Sequence, residues 1–168
     1  MNNFKENSGD VFASVGAPAP DFILPTQSGV EWRLSEQTGK IIVLLFYPKN
    51  ETLVCTRQLC SVRDNWAEYL KTKAVIVGIS SGTVEEHRQF SSNHQLPLPL
   101  LADENRRVTK LYVRHKFFPI SFLRTIVVID ARGIVRSRKT MLRAFRPQDA
   151  EVLKTIRSAH LDAMIHWA

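Results

Sequence analysis

Seven consecutive apolar residues, Ile41-Ile42-Val43-Leu44-Leu45-Phe46-Tyr47, run into Pro48. Residues of such a run that alternate across a strand are apolar on both faces, so the segment predicts a central strand covered above and below. It is far too short to span a bilayer. The rest of the chain has to supply the covering layers. At 168 residues and 19.2 kDa it fits one domain able to bury roughly two-thirds of its unfolded surface. Residues 1–14 mix Lys5, Glu6 and Asp10 with small polar residues and predict a flexible N-terminal tail, leaving 15–168 as a single domain.

The order of elements follows from punctuation and periodicity. Asp21–Pro25 and Glu31–Leu34 flank Thr26-Gln27-Ser28-Gly29 and read as a hairpin, after which Ser35 is placed to cap one helical turn ending near Gly39. Beyond Pro48, apolar residues at Leu59, Val62, Trp66, Tyr69 and Leu70 predict a helix over 53–70 with Thr52 as its cap. Ala74–Ser80 reads as a second buried strand and Gly82-Thr83 as the start of a polar helix through His94. Pro97 and Pro99 precede a return at Leu100-Leu101. A helix over Glu104–Tyr112, an antiparallel pair Thr125–Asp130 and Ile134–Arg138, and a closing helix from Pro147 to about His160 complete the series. That order gives an α/β fold, a mixed central sheet flanked by helices with an N-terminal β-hairpin.

Only two cysteines occur, Cys55 and Cys60. A structural disulfide framework usually needs more bridges and a secretory address, so the count leaves two readings: paired redox chemistry in a cytoplasmic chain, or two small buried hydrophobes. Cys55 falls in the first turn of the helix that opens after Pro48. Unpaired backbone N–H groups and partial positive charge there favour a thiolate, the form that reacts with peroxide. At an ordinary pKa of about 8.5 a thiol is only about 3% ionised at pH 7, so a reactive cysteine needs such help. Arg57 and Arg63 share the helix and are candidates to add positive charge.

The segment Pro48-Lys49-Asn50-Glu51-Thr52-Leu53-Val54-Cys55 resembles the Pro-x-x-x-Thr-x-x-Cys signature of peroxiredoxins, the alkyl hydroperoxide reductase/thiol-specific antioxidant family. Val15-Gly16-Ala17-Pro18-Ala19-Pro20-Asp21-Phe22 is similar to the family's N-terminal segment, and Arg124 stands where the family places an active-site arginine ahead of a strand. The resemblance implies a thioredoxin-like fold and a thiol-dependent peroxidase. In it Cys55 would be the peroxidatic nucleophile, Thr52 would bond the peroxide, Pro48 would shield the pocket and Arg124 would stabilise the thiolate and the departing oxygen. A second cysteine five residues on resembles the bacterioferritin comigratory protein, or Q-type, subfamily. That likeness implies Cys60 as the resolving partner in an intramolecular disulfide recycled by thioredoxin, in a monomer or small homo-oligomer acting on hydrogen peroxide and organic hydroperoxides. Leu53, where many relatives have Pro, and Leu111-Tyr112-Val113, which lacks a glycine often seen there, depart from the pattern without removing a catalytic group.

Singly, each residue has a plainer role: Pro48 ends a strand, Thr52 caps a helix, Arg124 sits at a strand edge and Cys55 is inert. Their joint spacing is what favours catalysis. Cys60 carries a physical condition. On an intact helix two residues five apart have alpha carbons roughly 8.6 Å apart, whereas disulfides want less than about 7 Å. Resolution by Cys60 therefore requires the helix to open.

The rival functions are a thioredoxin-like disulfide reductase or thiol switch, which would lack the usual Cys-x-x-Cys, and a basic nucleic-acid or anionic-membrane binding module. The second draws on a net charge of +7, with twelve Lys or Arg against three acids between Ala102 and Arg146. Without base-stacking repeats or a nucleic-acid motif, that stretch reads first as a solvated basic surface. The five histidines show no ligand spacing and no phosphate loop appears, so neither a metal nor an organic cofactor is expected.

Overall fold

The computed structural model describes residues 11–165. Of the tail expected over 1–14, residues 1–10 lie outside the described residues. Ala13 is buried, and its N–H donates to Leu111 O at 2.8 Å. The hairpin is present as β1 (Ile23–Pro25) and β2 (Glu31–Arg33), paired antiparallel. A 3-10 turn over Leu34–Gln37 follows. Ser35 does not cap it; its N–H is taken by Asp21 Oδ1 at 3.0 Å.

The apolar run forms β3 (Ile42–Phe46), every residue of it buried. Its alternation sends Val43, Leu45 and the flanking Ile41 and Tyr47 into one core with Leu59, Val62, Phe90 and Ile156. Ile42, Leu44 and Phe46 enter a second core with Phe22, Leu24, Leu101 and Tyr112. β3 pairs in parallel with β4 (Val75–Ser80), which pairs in parallel with β5 (Leu100–Ala102). On its other side β3 meets β6 (Leu123–Ile129) antiparallel, and β6 meets β7 (Val135–Leu142), giving the order β5-β4-β3-β6-β7. Side chains of α1 (Leu53–Asp64), α2 (Trp66–Lys71), α3 (Val84–His94) and α5 (Asp149–Ile165) pack on the first face. The hairpin and the short α4 (Thr109–Tyr112) cover the second.

Four expected boundaries are corrected, each for a local reason. The single helix expected over 53–70 is broken at Asn65, whose side-chain amide donates to Ser61 O at 2.9 Å and to Asp149 Oδ2 at 3.2 Å. The helix expected over 104–112 shrinks to α4, because Asp103 accepts from Val108 N, Thr109 N and Thr109 Oγ1 at 2.7–3.2 Å and Arg106 takes a left-handed φ of 57°. β6 starts at Leu123, so Arg124 lies within the strand rather than ahead of it. The last helix begins at Asp149, not Pro147, because Gln148 O is the first acceptor of its turn, and it runs beyond His160, whose ring donates to Thr72 O at 2.8 Å. Among the described residues no helix is long and apolar enough to cross a membrane.

Asp149 joins three elements. Its carboxylate accepts from Tyr69 Oη at 2.6 Å, from Asn65 Nδ2 and from Ser61 Oγ, fixing the end of α1 and the start of α2 against α5. Replacing Asp149 with Ala strands these donors, so a urea titration of D149A is expected to show a loss of about 2 kcal/mol, within the usual range for hydrogen bonds to a charged group, at unchanged slope.

Candidate active site

The site is built where β3 gives way to α1. Tyr47, buried, directly follows the strand, and the loop 48–52 turns the chain through a left-handed Glu51, φ 58°, into the helix. Tyr47 Oη donates to Asn50 Oδ1 at 2.6 Å, Asn50 Nδ2 donates to His87 Nδ1 at 3.1 Å, and His87 Nε2 donates to Leu101 O at 3.1 Å. This relay requires the neutral imidazole. Burial, outweighing its backbone hydrogen bonds, holds the His87 pKa below the ordinary histidine value, and burial likewise pushes the Tyr47 phenol well above its usual range. Gly82 is obligatory beside the relay, since a Cβ there would lie 2.7–2.8 Å from His87 and Asn50. From α3, His94 and Asn93 donate to the Glu51 carboxylate at 3.0 and 3.3 Å, tying down the other side of the loop.

Thr52 occupies the position before α1, and its carbonyl accepts from Thr56 N at 2.8 Å. Its hydroxyl makes no capping bond and reaches Lys49 O only at 3.4 Å. The lone pairs a capping threonine spends on the helix are thus left to the cleft beside it. Cys55, 2% exposed, is the third residue of α1 and projects from its buried face with Gln58, Leu59 and Val62.

Arg124 rises from β6 beneath this turn and is fully buried. Its Nε donates to Phe145 O at 3.0 Å, Nη1 to Gln58 Oε1, and Nη2 to Arg143 O at 3.3 Å and to Cys55 Sγ at 3.1 Å. Two carbonyls and an amide carry no charge. Of the atoms that accept from Arg124, the sulfur alone can bear a compensating negative charge, and desolvation makes that pairing strong. Gln58 aims its oxygen at the guanidinium and leaves Nε2 without a partner among the described residues, a cost accepted for the sake of the acceptor.

Pro48, Thr52 and Cys55 line one cleft of about 480 Å³, whose far wall is Arg106, Ser121 and Arg143. Four of the five site residues read from the sequence thus come together, Arg124 by its bond to Cys55. Cys60 does not join them: it is half-buried one turn on, packed against the core, and both thiols are free. Arg57 is exposed, and Arg63 turns away to donate to His94 O at 2.6 Å. Sequence reasoning missed Gln58, Tyr47, Arg106 and Arg143. Gln58 alone left a usable trace, as the polar residue on an otherwise apolar helix face. Among the described residues no three potential metal ligands cluster.

The AhpC/TSA family model matches residues 15–138. Over 127 residues the chain is 36% identical to a putative peroxiredoxin bcp of Coxiella burnetii, covering 72% of this chain and 84% of that one. It is 38% identical to a chloroplastic peroxiredoxin Q of Triticum aestivum over 73% of this chain and 57% of the wheat protein. The crystal structure of peroxidoxin BcpB from Mycobacterium tuberculosis superposes with a TM-score of 0.73 at 29% identity, covering 87% of this chain and 97% of that one. That likeness carries the thioredoxin-like reading of the fold.

Two outcomes follow from the geometry. Arg124→Lys keeps the charge but loses the fork that spans Cys55, Gln58 and two carbonyls, so the rate of Cys55 oxidation by peroxide, followed by rapid-quench alkylation, is expected to fall by roughly 10²–10³. His87 has a lowered folded pKa, so the stability it contributes is present above the unfolded value of about 6.5 and is lost as pH falls through the folded value. Urea midpoints measured from pH 7.5 downward are expected to drop below about pH 6.5. The profile of His87→Gln is expected to be flatter.

Proposed function

The chain belongs to the AhpC/TSA family and is a thiol-dependent peroxidase, in which we propose that Cys55 is the peroxidatic nucleophile and Cys60 its resolving partner. One observation carries the first assignment: the buried guanidinium of Arg124, with Nη2 3.1 Å from Cys55 Sγ and only uncharged groups as its other acceptors. The thiolate attacks one oxygen of the hydroperoxide, the O–O bond breaks, sulfur is oxidised to sulfenic acid, and the second oxygen leaves as alkoxide or hydroxide and takes up a proton. Negative charge grows on that departing oxygen. Arg124 and the free N–H groups of the first turn of α1 are the donors placed to meet it, the Thr52 hydroxyl offers its lone pairs to the hydroperoxide O–H, and Pro48 closes the pocket against water.

Cys60 completes the cycle by attacking the sulfenic sulfur, forming the disulfide and releasing water. A dithiol of the thioredoxin type, the reductant expected for this family, then exchanges with the disulfide and returns both thiols. α1 is continuous from Leu53 to Asp64, so the two alpha carbons stand at about the 8.6 Å of an intact helix and the disulfide forms only after local unwinding. Asp149 holds Ser61 and Asn65 at the far end, which favours opening of the first turns. A monomer or small homo-oligomer in the cytoplasm fits a cycle in which both cysteines lie in one chain. A disulfide reductase is the weaker reading, because exchange with a bulky protein disulfide needs an accessible thiol and Cys55 is 2% exposed.

One equivalent of peroxide should give a Cys55–Cys60 disulfide by mass spectrometry, with faster amide exchange over 53–60 in the oxidised protein. In Cys60→Ser the first oxidation should persist as sulfenic acid while turnover with the dithiol reductant is lost. A wild-type protein that keeps sulfenic acid at Cys55 beside a free Cys60 would remove Cys60 from the cycle.

A further inference from the structure

Resolution depends on how firmly the segment carrying both cysteines is held, and one residue outside the cleft holds it twice. His94 is the last residue of α3. Its ring Nε2 donates to Glu51 Oε2 at 3.0 Å, ahead of Cys55, and its carbonyl accepts from Arg63 Nη1 at 2.6 Å, beyond Cys60. The two bonds bracket the cysteines. Glu51, Arg63 and His94 all lie outside the lining of the cleft above Cys55.

Each arm has a local cause. α3 ends in a left-handed Gln95, φ 49°, whose N–H turns back to Ser92 O at 3.3 Å while Leu96 N takes Ser91 O at 3.0 Å. The His94 carbonyl is left at the negative end of the helix, where a guanidinium is favoured. The His94 ring stands edge-on to the buried Phe90 at 5.2 Å, which fixes its direction. Glu51 holds a left-handed backbone, φ 58°, that a residue with a Cβ keeps only where its surroundings impose it. The bonds from His94 and Asn93 to its carboxylate impose it, and the first of them holds the Glu51 carboxyl below its ordinary pKa. Unwinding meets this brace directly. A helix advances about 1.5 Å per residue and an extended chain up to about 3.4 Å, so opening one turn between fixed ends adds roughly 7 Å of path. Either the chain bulges or one end lets go. Arg63 lies on the part of α1 that Asp149 secures through Ser61 and Asn65, whereas Glu51 is exposed and strained, so Glu51 is the end that releases.

Resting on the resolving role given to Cys60 above, we propose that His94 is a positioning residue for resolution: its two-armed brace from Glu51 to Arg63 holds the segment shut and sets the rate at which Cys60 reaches the oxidised Cys55. Attack on the first hydroperoxide does not use it. The brace thereby fixes how long the sulfenic acid waits. During that wait a second hydroperoxide competes with Cys60: its O–O bond breaks, one oxygen is added to sulfur to give sulfinic acid, and water or an alcohol leaves. Disulfide formation releases water and ends the exposure. His94 thus divides Cys55 between recycling and irreversible loss.

Two variants separate the brace from the packing around it. His94→Phe keeps a ring against Phe90 and the carbonyl for Arg63 but removes the donor to Glu51. His94→Gln loses the ring and keeps a donor of similar reach. Reduced full-length protein is mixed with one equivalent of hydrogen peroxide, and quenched samples are read by mass spectrometry for thiol, sulfenic acid and disulfide. In His94→Phe the unimolecular rate of disulfide formation is expected to rise about threefold, the scale of an exposed charge-assisted bond, with the rate of first oxidation unchanged. At excess peroxide its sulfinic fraction is expected to fall by a similar factor. His94→Gln is expected to stay near the wild type in every reading. Arg63→Met, which cuts the other arm, is expected to match His94→Phe and carries the same test if that variant does not fold. Disulfide formation no faster in His94→Phe and Arg63→Met than in the wild type overturns the brace and leaves Cys60 as the resolving partner. A change in first oxidation as large as that in resolution also overturns it, by making His94 a general prop of the cleft. Sulfenic acid that persists in every protein beside a free Cys60 removes the resolving reading itself, and the brace with it.

Discussion

A fully buried guanidinium facing a thiol is the constraint on which the rest of the structure turns. Leaving Arg124 without acceptors in the interior would cost several kcal/mol, so the fold surrounds it: Phe145 O and Arg143 O come from the segment after β7, Gln58 Oε1 from α1, and the sulfur of Cys55 from the same helix one turn earlier. Each acceptor belongs to an element that must be in place for the strand to bury the arginine. β7 has to extend to Leu142 and the chain has to turn there, and α1 has to present its first turn downward. On the proposed roles stability and reactivity are thereby linked, because the sulfur that accepts from the buried guanidinium is also the proposed nucleophile.

That arrangement works against the second half of the cycle. The loop before α1 is tied to α3 through Asn50–His87, Glu51–His94 and Glu51–Asn93, and the other end of the helix is tied to α5 through Asp149. A helix pinned at both ends keeps Cys55 against Arg124 and keeps Cys60 away. Oxidation changes the balance. In the proposed cycle a Cys55 thiolate becomes a sulfenic acid, neutral at the sulfur, and that step weakens the tie between Arg124 and the first turn. On the proposed roles, the contact that favours attack on peroxide is weakened by its success, which gives the proposed unwinding a physical cause.

Much of this was legible before any coordinates. The Ile41–Tyr47 run specified a strand covered on both faces, and the spacing of Pro48, Thr52 and Cys55 specified one wall of the cleft, because those residues are close in sequence and their geometry is set by a strand, a turn and a helix start. What stayed hidden came from distant segments or from side chains overriding propensity. Gln58 aligns with an otherwise ordinary helix face, and only β6 beneath it shows why it is polar. Arg143 and Phe145 enter through backbone carbonyls, which leave no mark in a sequence. The break at Asn65 and the lost turns before α4 are decided by Asp149 and Asp103, carboxylates that collect donors better satisfied there than in a continuing helix. Arg124 was legible by its resemblance to a family position, but its burial inside β6 was not.

The basic stretch from Ala102 to Arg146 shows how one compositional signal divides in three dimensions. Read as a line of charge it suggested a surface for nucleic acid or lipid. Folded, it has no single face. Arg124 is consumed by the thiol, Arg132 and Arg136 fasten the β6–β7 turn through Asp130, Lys139 answers α5 through Glu151, and Arg138 and Arg114 lie over the ring of Phe12 at 4.5 and 4.2 Å. Of the rest, Arg106 and Arg143 line the cleft that holds Cys55, joined there by Lys49 from a different part of the chain, while Arg107, Lys110, Lys116 and Arg146 are not among its lining residues. The linear run of charge therefore does not survive folding as one surface, because the turn, strands and loop that carry it take its members to separate places.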